Sequence, residues 1–472
     1  MKKNNSITPR SENFVKWYTD VCLQAELFTY GPVKGTIIFK PLGYAIWKNI
    51  QNYLNDKFIE LGVEEVYFPL LIPKSLINIE KEHFEGFTPE LATVTKIGEK
   101  KLEEDLCIRP TSETLFSNFF ANEIKSYRDL PMKYNQWSNV MRWEKNTRPF
   151  LRTSEFLWQE GHTLHTNKIE AQKFTSIILN IYNDLMINIL SIYPIVGKKT
   201  EKEKFAGAID TFTIETLMHD GQSLQCATSH YLGQNFSKPY KITFENKDQK
   251  LENCYQTSWG TSTRLIGAII MTHGDDNGLI LPFNLAPIQI EIILVKETEV
   301  LLKYAKKIMS EGHSEYRIKI NDSNKSFGFK IAESEVKGTP IRIEIGPRDL
   351  ENNSVIVARR DTGEKLVVKL ENIWSKLKTI KKDYHDNLFE KNKKNIDNRI
   401  QKFENIEQYI NALEKNNVLA LVPFCNRKSC EEDIKKKTQT NSRCIIKDDN
   451  RLTPCFNCKT KTKLLVYFAK AY

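Results

Sequence analysis

The sequence lacks the features that would place it in a membrane or outside the cell. Its longest apolar runs, such as Leu265–Met271 and Val418–Phe424, fall far short of the ~20 residues a transmembrane helix needs. The opening segment MKKNNSITPRSENF has no apolar stretch of the kind a secretory signal carries. No GxxxxGKS/T run, GxGxxG fingerprint or GxSxG elbow occurs, which argues against a P-loop, a Rossmann dinucleotide site and an α/β-hydrolase nucleophile. No internal repeat is visible. The nine cysteines are an odd number and unevenly placed, four in the first 424 residues and five in the last 48. Without a secretion signal, that pattern argues against a disulfide framework and for a reducing cytoplasm.

What is present describes an ordinary globular chain. Its 472 residues are 40% hydrophobic and 27% charged, enough for roughly three domains at about 150 residues each. The net charge of +10, from 69 Lys+Arg against 59 Asp+Glu, allows an anionic partner without naming one. Apolar residues Trp47, Ile50, Leu54, Phe58 and Leu61 predict a helix over 43–61, ended by Gly62. Val63–Leu71 reads as a strand interrupted at Pro69. Ser112 is placed to cap a helix running to about Ile124. Strands are predicted at Lys133–Glu144, Phe156–Thr166, Gly207–Thr216, Ser223–Tyr231 and Gln256–Thr263, and helices at Lys168–Ile192 and Thr263–Met271. A large antiparallel sheet with helices is an α+β arrangement. After Pro287, strands at Gln289–Val295, Glu315–Ile320, Ile341–Ile345 and Val355–Ala358 and a helix near Glu297–Ser310 suggest a compact α/β unit. Residues 376–402 carry nine basic and four acidic side chains on a helical period. They form either a solvated face or a surface that meets a phosphate backbone.

Two segments carry chemistry. In Trp137–Glu144, Arg142 and Glu144 stand two apart on a strand and share a face. An arginine there can fork onto phosphate, the carboxylate can accept from an exocyclic amine, and Phe156 can stack on a base. A surface ion pair is the plainer reading. The turn Gly260-Thr-Ser-Thr-Arg264 is the second segment, where small residues let a ligand approach the backbone and Arg264 opens a helix.

In order and spacing these pieces resemble the class II aminoacyl-tRNA synthetases: Pro69 after a long helix, the Arg142/Glu144 strand with its loop, and the Gly260–Arg264 turn. Three longer strings, Arg109–Glu113, Asn146–His162 and Gly338–Asp349, resemble the prolyl-tRNA synthetase family, and the likeness runs from about residue 10 to Tyr472. It implies a class II catalytic domain over 1–286, an anticodon-binding α/β domain over 287–390 and a small zinc-binding α+β domain over 391–472. It also implies that proline is activated with ATP and magnesium and passed to its tRNA by a cytoplasmic homodimer with no membrane attachment. Catalysis would be positioning plus charge stabilisation.

The resemblance also implies roles for individual residues. Arg142 would hold the α-phosphate and the substrate carboxylate, and Arg264 the γ-phosphate end. Glu144, Thr153, Phe156, Gln225, Thr228 and Ser262 would complete the ATP site. Thr111 and Glu113 would accept from the charged secondary amine of proline, although the same pair suits a helix start. Trp158, His162, Phe205 and His230 would wall the proline pocket, with core packing or structural hydrogen bonding as the alternative. Only about 90 residues separate His165 from Tyr255, too few for the large editing insertion of some bacterial members. Size discrimination is weak at about 1–3 kcal/mol per methylene, so alanine and cysteine are expected errors, corrected elsewhere. Arg342, Glu344 and Arg348, at one strand in the anticodon domain, suit guanine edges or a salt-bridged sheet.

In the tail, Cys425-x4-Cys430 and Cys455-x2-Cys458, with 24 residues between the pairs, suit a structural tetrahedral zinc, and Cys444 is the odd one out. In the family the terminal tyrosine, here Tyr472, folds back toward the active site. A non-catalytic paralogue that binds tRNA or senses proline would be expected to lose its phosphate-holding residues, yet Arg142, Glu144 and Arg264 are all present. A threonine or serine enzyme would share the Thr-x-Glu element but not the Arg148–His162 string or the tail.

Overall fold

The computed structural model describes residues 6–83 and 90–472. Helix Pro41–Glu60 starts with proline at its first position and buries Ile46, Trp47, Ile50, Leu54 and Phe58. Gly62, at φ 66°, follows its end. The strand predicted at Val63–Leu71 is two short pieces, Glu64–Glu65 and Leu71–Pro73. Between them Val66 N donates to Asn135 O, and Phe68 N to the Gln136 side chain at 3.0 Å. Pro69 has no N–H to continue a ladder.

The site is built on a mainly antiparallel sheet. Its central strands are β1 (Met132–Met141), β2 (Glu155–His165), β3 (Ile195–Lys198), β4 (Asp210–Leu217), β5 (Ser223–Gly233) and β6 (Tyr255–Ser262). They lie in the order β1-β2-β6-β5-β4-β3; five fall close to the predicted spans, and β3 has no predicted counterpart. Helices Pro41–Glu60, Lys168–Asp184 and Arg264–His273 share one core with Trp259. The helix predicted to Ile192 keeps α geometry only to Asp184, loosens into one π turn over Leu185–Ile189, and meets Ser191 at φ 51°. Residues 166–254 are occupied by that helix, β3, β4, β5 and a small hairpin, with no inserted domain.

Ser112 precedes helix Glu113–Glu123 without capping it through its side chain. Its hydroxyl accepts instead from Gln136 Nε2 at 2.9 Å, and its N–H donates to Glu160 at 3.2 Å. Phe116 and Phe120 are buried, and Leu115 and Phe119 half-buried. Helix Phe14–Gln24 and the hairpin Thr93–Ile97/Lys100–Ile108 were not foreshadowed by the sequence pattern.

The second unit is a five-stranded sheet in the order Ile318–Ile320, Ile290–Leu294, Ile341–Ile345, Ser354–Arg359, Lys365–Lys369, with its own isoleucine-rich core. Helix Ile373–Asp397 leaves it, so the domain boundary expected at 390 falls within one continuous helix. Leu377, Ile380, Tyr384 and Leu388 of that helix belong to the second core, while Ile396 joins a cluster with Leu217 and Cys444. The tail is not a detached third unit. Its strands β7 (Asn441–Pro454) and β8 (Lys461–Ala469) extend the catalytic sheet, β7 meeting β3 at Ile445↔Lys198.

Candidate active site

Period-two alternation collects the site residues on one sheet face. Register sets them in rows: His162–Ser258–His230–Thr211, Glu160–Gly260–Thr228–Thr213, and Trp158–Ser262. Gln225 is three residues before Thr228, which in a regular strand would turn it to the opposite face. A register shift resolves this. Ile214 pairs with Ala227 and Glu215 with Gln225, so Cys226 is the extra residue of a β-bulge.

These rows floor a cavity of about 290 Å3. Of the expected residues, Thr111, Glu113, Arg142, Phe156, Trp158, Phe205, Gln225, Thr228, His230, Ser262 and Arg264 line it. Three do not. Glu144 pairs with Arg152 at 3.3 Å, and the Thr153 hydroxyl donates to Glu155 O at 2.7 Å. His162 stands in the same row but is buried beside the cavity, stacked on Phe116 with centroids 4.0 Å apart. Glu160, Glu203, Thr211, Cys226, Ser258 and Trp259 also line the cavity and were missed. Glu160 had a usable signal, since it alternates with Trp158 and His162. Glu203, in an irregular connection, had none.

Arg142 donates from Nε to Pro110 O at 2.9 Å and lies over the Phe156 and Trp158 rings, 5.5 and 5.2 Å from their centroids. Its side chain stays open to the cavity's solvent although protein surrounds it. Arg264 donates to Leu151 O at 3.2 Å and Gln225 O at 3.4 Å. Both guanidiniums bond to backbone carbonyls, which leaves their charge available to an anion. Burial draws both pKa values down, but an arginine remains charged at neutral pH.

Thr111 donates to Glu113, and burial pushes the Glu113 carboxyl above its ordinary range. Burial also opposes ionisation of Glu160, but His162, Ser112 and Gln136 bond to it and hold it below that range. Burial drives the His230 imidazole down to about 3, so it stays neutral, with Nδ1 3.0 Å from Thr211 Oγ1.

Tyr472 folds back to β5, donating from its N–H to Ser223 O at 3.2 Å. Its hydroxyl bonds to Asp220, and the Arg148 guanidinium lies 5.0 Å from its ring centroid. In the anticodon-type unit, Arg342 and Glu344 are buried. Arg342 pairs with Glu335 at 3.0 Å, Glu344 with Lys365 at 2.7 Å, and only Arg348 of the expected trio is exposed. The sheet-face ion pairs therefore account for the first two.

The Sγ atoms of Cys425, Cys430, Cys455 and Cys458 lie within 4.8 Å of one another, and Cys444 is buried elsewhere. The Cys425–Cys458 and Cys430–Cys455 separations are 3.5 and 3.9 Å. Tetrahedral zinc with bonds of about 2.3 Å would set thiolates about 3.8 Å apart, so the donor set fits that ion. Among the described residues, no helix is long and apolar enough to cross a membrane.

Three family descriptions match in sequence. Residues 94–273 match "tRNA synthetase class II core domain (G, H, P, S and T)", 289–380 match "Anticodon binding domain", and 406–472 match "Prolyl-tRNA synthetase, C-terminal". The chain is 58% identical over 473 residues to the proline–tRNA ligase of Mesoplasma florum, covering 100% of both chains. It is 46% identical to that of Clostridium novyi, covering 99% of this chain and 98% of the other. The crystal structure of Cryptosporidium parvum prolyl-tRNA synthetase complexed with halofuginone and AMPPNP aligns with a TM-score of 0.93 at 38% identity, covering 99% of each chain.

Proposed function

The chain belongs to the prolyl-tRNA synthetase family, and from that premise we propose how its residues divide the work. The reaction joins L-proline to ATP, giving prolyl-adenylate and pyrophosphate, and then moves the prolyl group to the 3′ end of tRNA. One observation carries the residue assignment: a single cavity holds Thr111 and Glu113 beside Arg142, and Arg264 beside Gln225. The ammonium of proline sits on Glu113 and Thr111, with its carboxylate toward Arg142. Phe205, Trp158 and the neutral His230 wall the ring, and His162 steadies Glu160 from beside the cavity. ATP spreads over Phe156, Gln225, Thr228 and Ser262, its γ-phosphate end at Arg264. Glu144 and Thr153 hold the loop that closes over the adenine.

A carboxylate oxygen of proline attacks the α-phosphorus, the bond to the β-phosphate oxygen breaks, and pyrophosphate leaves. Arg142 spans the two anions as charge builds between them. Magnesium, bound with ATP, supplies neutralising charge on the phosphates. Cys425, Cys430, Cys455 and Cys458 would hold a structural zinc that ties the tail together. Arg348 is the member of the anticodon set left free to meet a base, above the sheet that Arg342 and Glu344 hold together. Nine cysteines, none of them in a disulfide, suit the cytoplasm. Exposed Tyr67 and Leu70, flanking Pro69, suit a homodimer interface.

Amino-acid-dependent exchange of pyrophosphate into ATP tests the assignment. Proline should outrun threonine, serine, alanine and cysteine. Arg142→Ala should lose at least about a hundredfold in exchange while keeping the folded spectrum. An active Arg142→Ala enzyme would show that the α-phosphate lies elsewhere.

A further inference from the structure

The bulge that turns Gln225 into the cavity is fastened from the far end of the chain. Glu215, which pairs with Gln225 across the bulge, is fully buried and points onto the same sheet face. Its carboxylate accepts from Lys199 Nζ at 2.6 Å, Thr213 Oγ1 at 3.1 Å and Ser223 Oγ at 3.0 Å. The remaining partner comes from β7 of the C-terminal unit. Arg443 places Nε at 3.0 Å and Nη2 at 2.6 Å from Glu215 Oε2. Burial opposes ionisation of Glu215, yet Arg443 and Lys199 hold its carboxyl down at about 2.

Neither Arg443 nor Glu215 lines the cavity. Both act on the segment that does. Ser223, held by Glu215, is also tied to the chain terminus, donating from its N–H to Lys470 O at 2.8 Å. Two residues on, the Gln225 carbonyl accepts from Arg264. A bulge gives up regular ladder bonds and needs such outside support to keep one geometry.

We propose that Arg443 is a positioning residue for the nucleotide site: through Glu215 it fixes the bulged Ser223–Gln225 segment so that Gln225 and Arg264 face ATP. The tail is then part of the ATP site without touching ATP. This rests on the placement of ATP over Gln225 given above.

The test uses the full, zinc-loaded chain, with pyrophosphate exchange followed against ATP and against proline separately. Arg443→Lys keeps the charge but replaces two donors on one oxygen by a single one. It should raise KM for ATP about fivefold to twentyfold and leave KM for proline within about twofold. Arg443→Met leaves Glu215 and Lys199 electrically balanced and should raise KM for ATP further. Urea transitions and zinc content confirm that each variant is folded, and Arg443→Lys decides if Arg443→Met does not fold. An ATP KM within about twofold of wild type in Arg443→Lys overturns the proposal. So does an equal rise in both KM values, or a fall in kcat alone, since either marks a merely structural role. Gln225→Ala is measured in parallel and should raise KM for ATP. If it does not, the placement of ATP fails. If it does and Arg443→Lys does not, the role of Arg443 fails.

Discussion

Glu113 and Glu160 stand in the same cavity with their ionisations pushed apart. Burial raises the first, and burial also works against the second. What separates them is the ring of partners on Glu160: His162, Ser112 N and Gln136 favour its charge. Such divergence commonly separates a fixed charge from a working one. Glu160 stays ionised and holds the start of helix Glu113–Glu123 in place. Glu113 is the group that titrates. With the proline ammonium on Glu113, as proposed, the carboxylate must be ionised, so binding would be intact above the raised pKa and lost as pH falls through it. The expected kcat/KM for proline, measured at saturating ATP, therefore declines with falling pH sooner than an ordinary glutamate near ~4.3 would dictate. Glu113→Gln should flatten that limb and cost at least about tenfold in kcat/KM for proline. A wild-type limb no higher in pH than that of an ordinary glutamate would remove Glu113 from the role.

Between strands, one close approach bears on the cavity floor. Gly161 of β2 lies opposite Trp259 of β6, and a Cβ added at Gly161 would sit 2.0 Å from Trp259 Cζ2. The indole has little room to retreat, with Phe174 at 5.5 Å and Phe58 at 6.0 Å between ring centroids. Gly161→Ala is expected to destabilise the chain by about 2–3 kcal/mol, read as a lower urea midpoint at unchanged slope. It should also weaken exchange, because Trp259 backs the cavity floor from the opposite sheet face, between Ser258 and Gly260. At this scale the sequence was informative where local periodicity decides. The strands carrying Trp158, Thr228 and Ser262 lie close to where alternation put them, and so do the helices after Pro41 and Thr263. It was silent where a distant partner decides. The Cys226 bulge exists only through pairing with Ile214 and Glu215. Ser112 has the composition of a cap, but Gln136 offers its hydroxyl a better partner. Arg342 and Glu344 read equally as base contacts or ion pairs; without tRNA they are buried and ion-paired, a state that only their tertiary partners decide.

Across the whole molecule, the anticodon-type unit is tied to the foot of the helix whose other end carries Arg264. Helix Arg264–His273 ends at Gly274, and Asp275 follows. Both Asp275 carboxylate oxygens accept from Arg360, at 2.6 and 2.8 Å, while Arg360 Nε donates to Glu335 O. Beside this pair, Leu279 and Leu281 donate from N–H to Val336 O and Gly338 O. Helix Ile373–Asp397 adds a second tie, with Asn392 accepting from Tyr193 N and Asn395 donating to Met218 O. The net charge of +10 makes tRNA association sensitive to salt, but charge alone does not place an anticodon and a 3′ end at their two sites together. That requires a fixed distance between domains, since a second contact strengthens binding only while geometry permits both. Asp275→Asn keeps the shape but leaves Arg360 buried without its counter-charge, a loss approaching about 3 kcal/mol in docking. Proline activation does not need the anticodon domain to be aligned, so exchange should stay within about twofold of wild type. Charging of tRNA should fall about tenfold in kcat/KM, carried mainly by KM for tRNA. Adding Arg360→Gln removes the stranded charge and should recover part of the stability without restoring charging, because the fork that fixes the angle is still missing. Equal losses in exchange and charging for Asp275→Asn would instead mean that the pair merely supports the helix of Arg264.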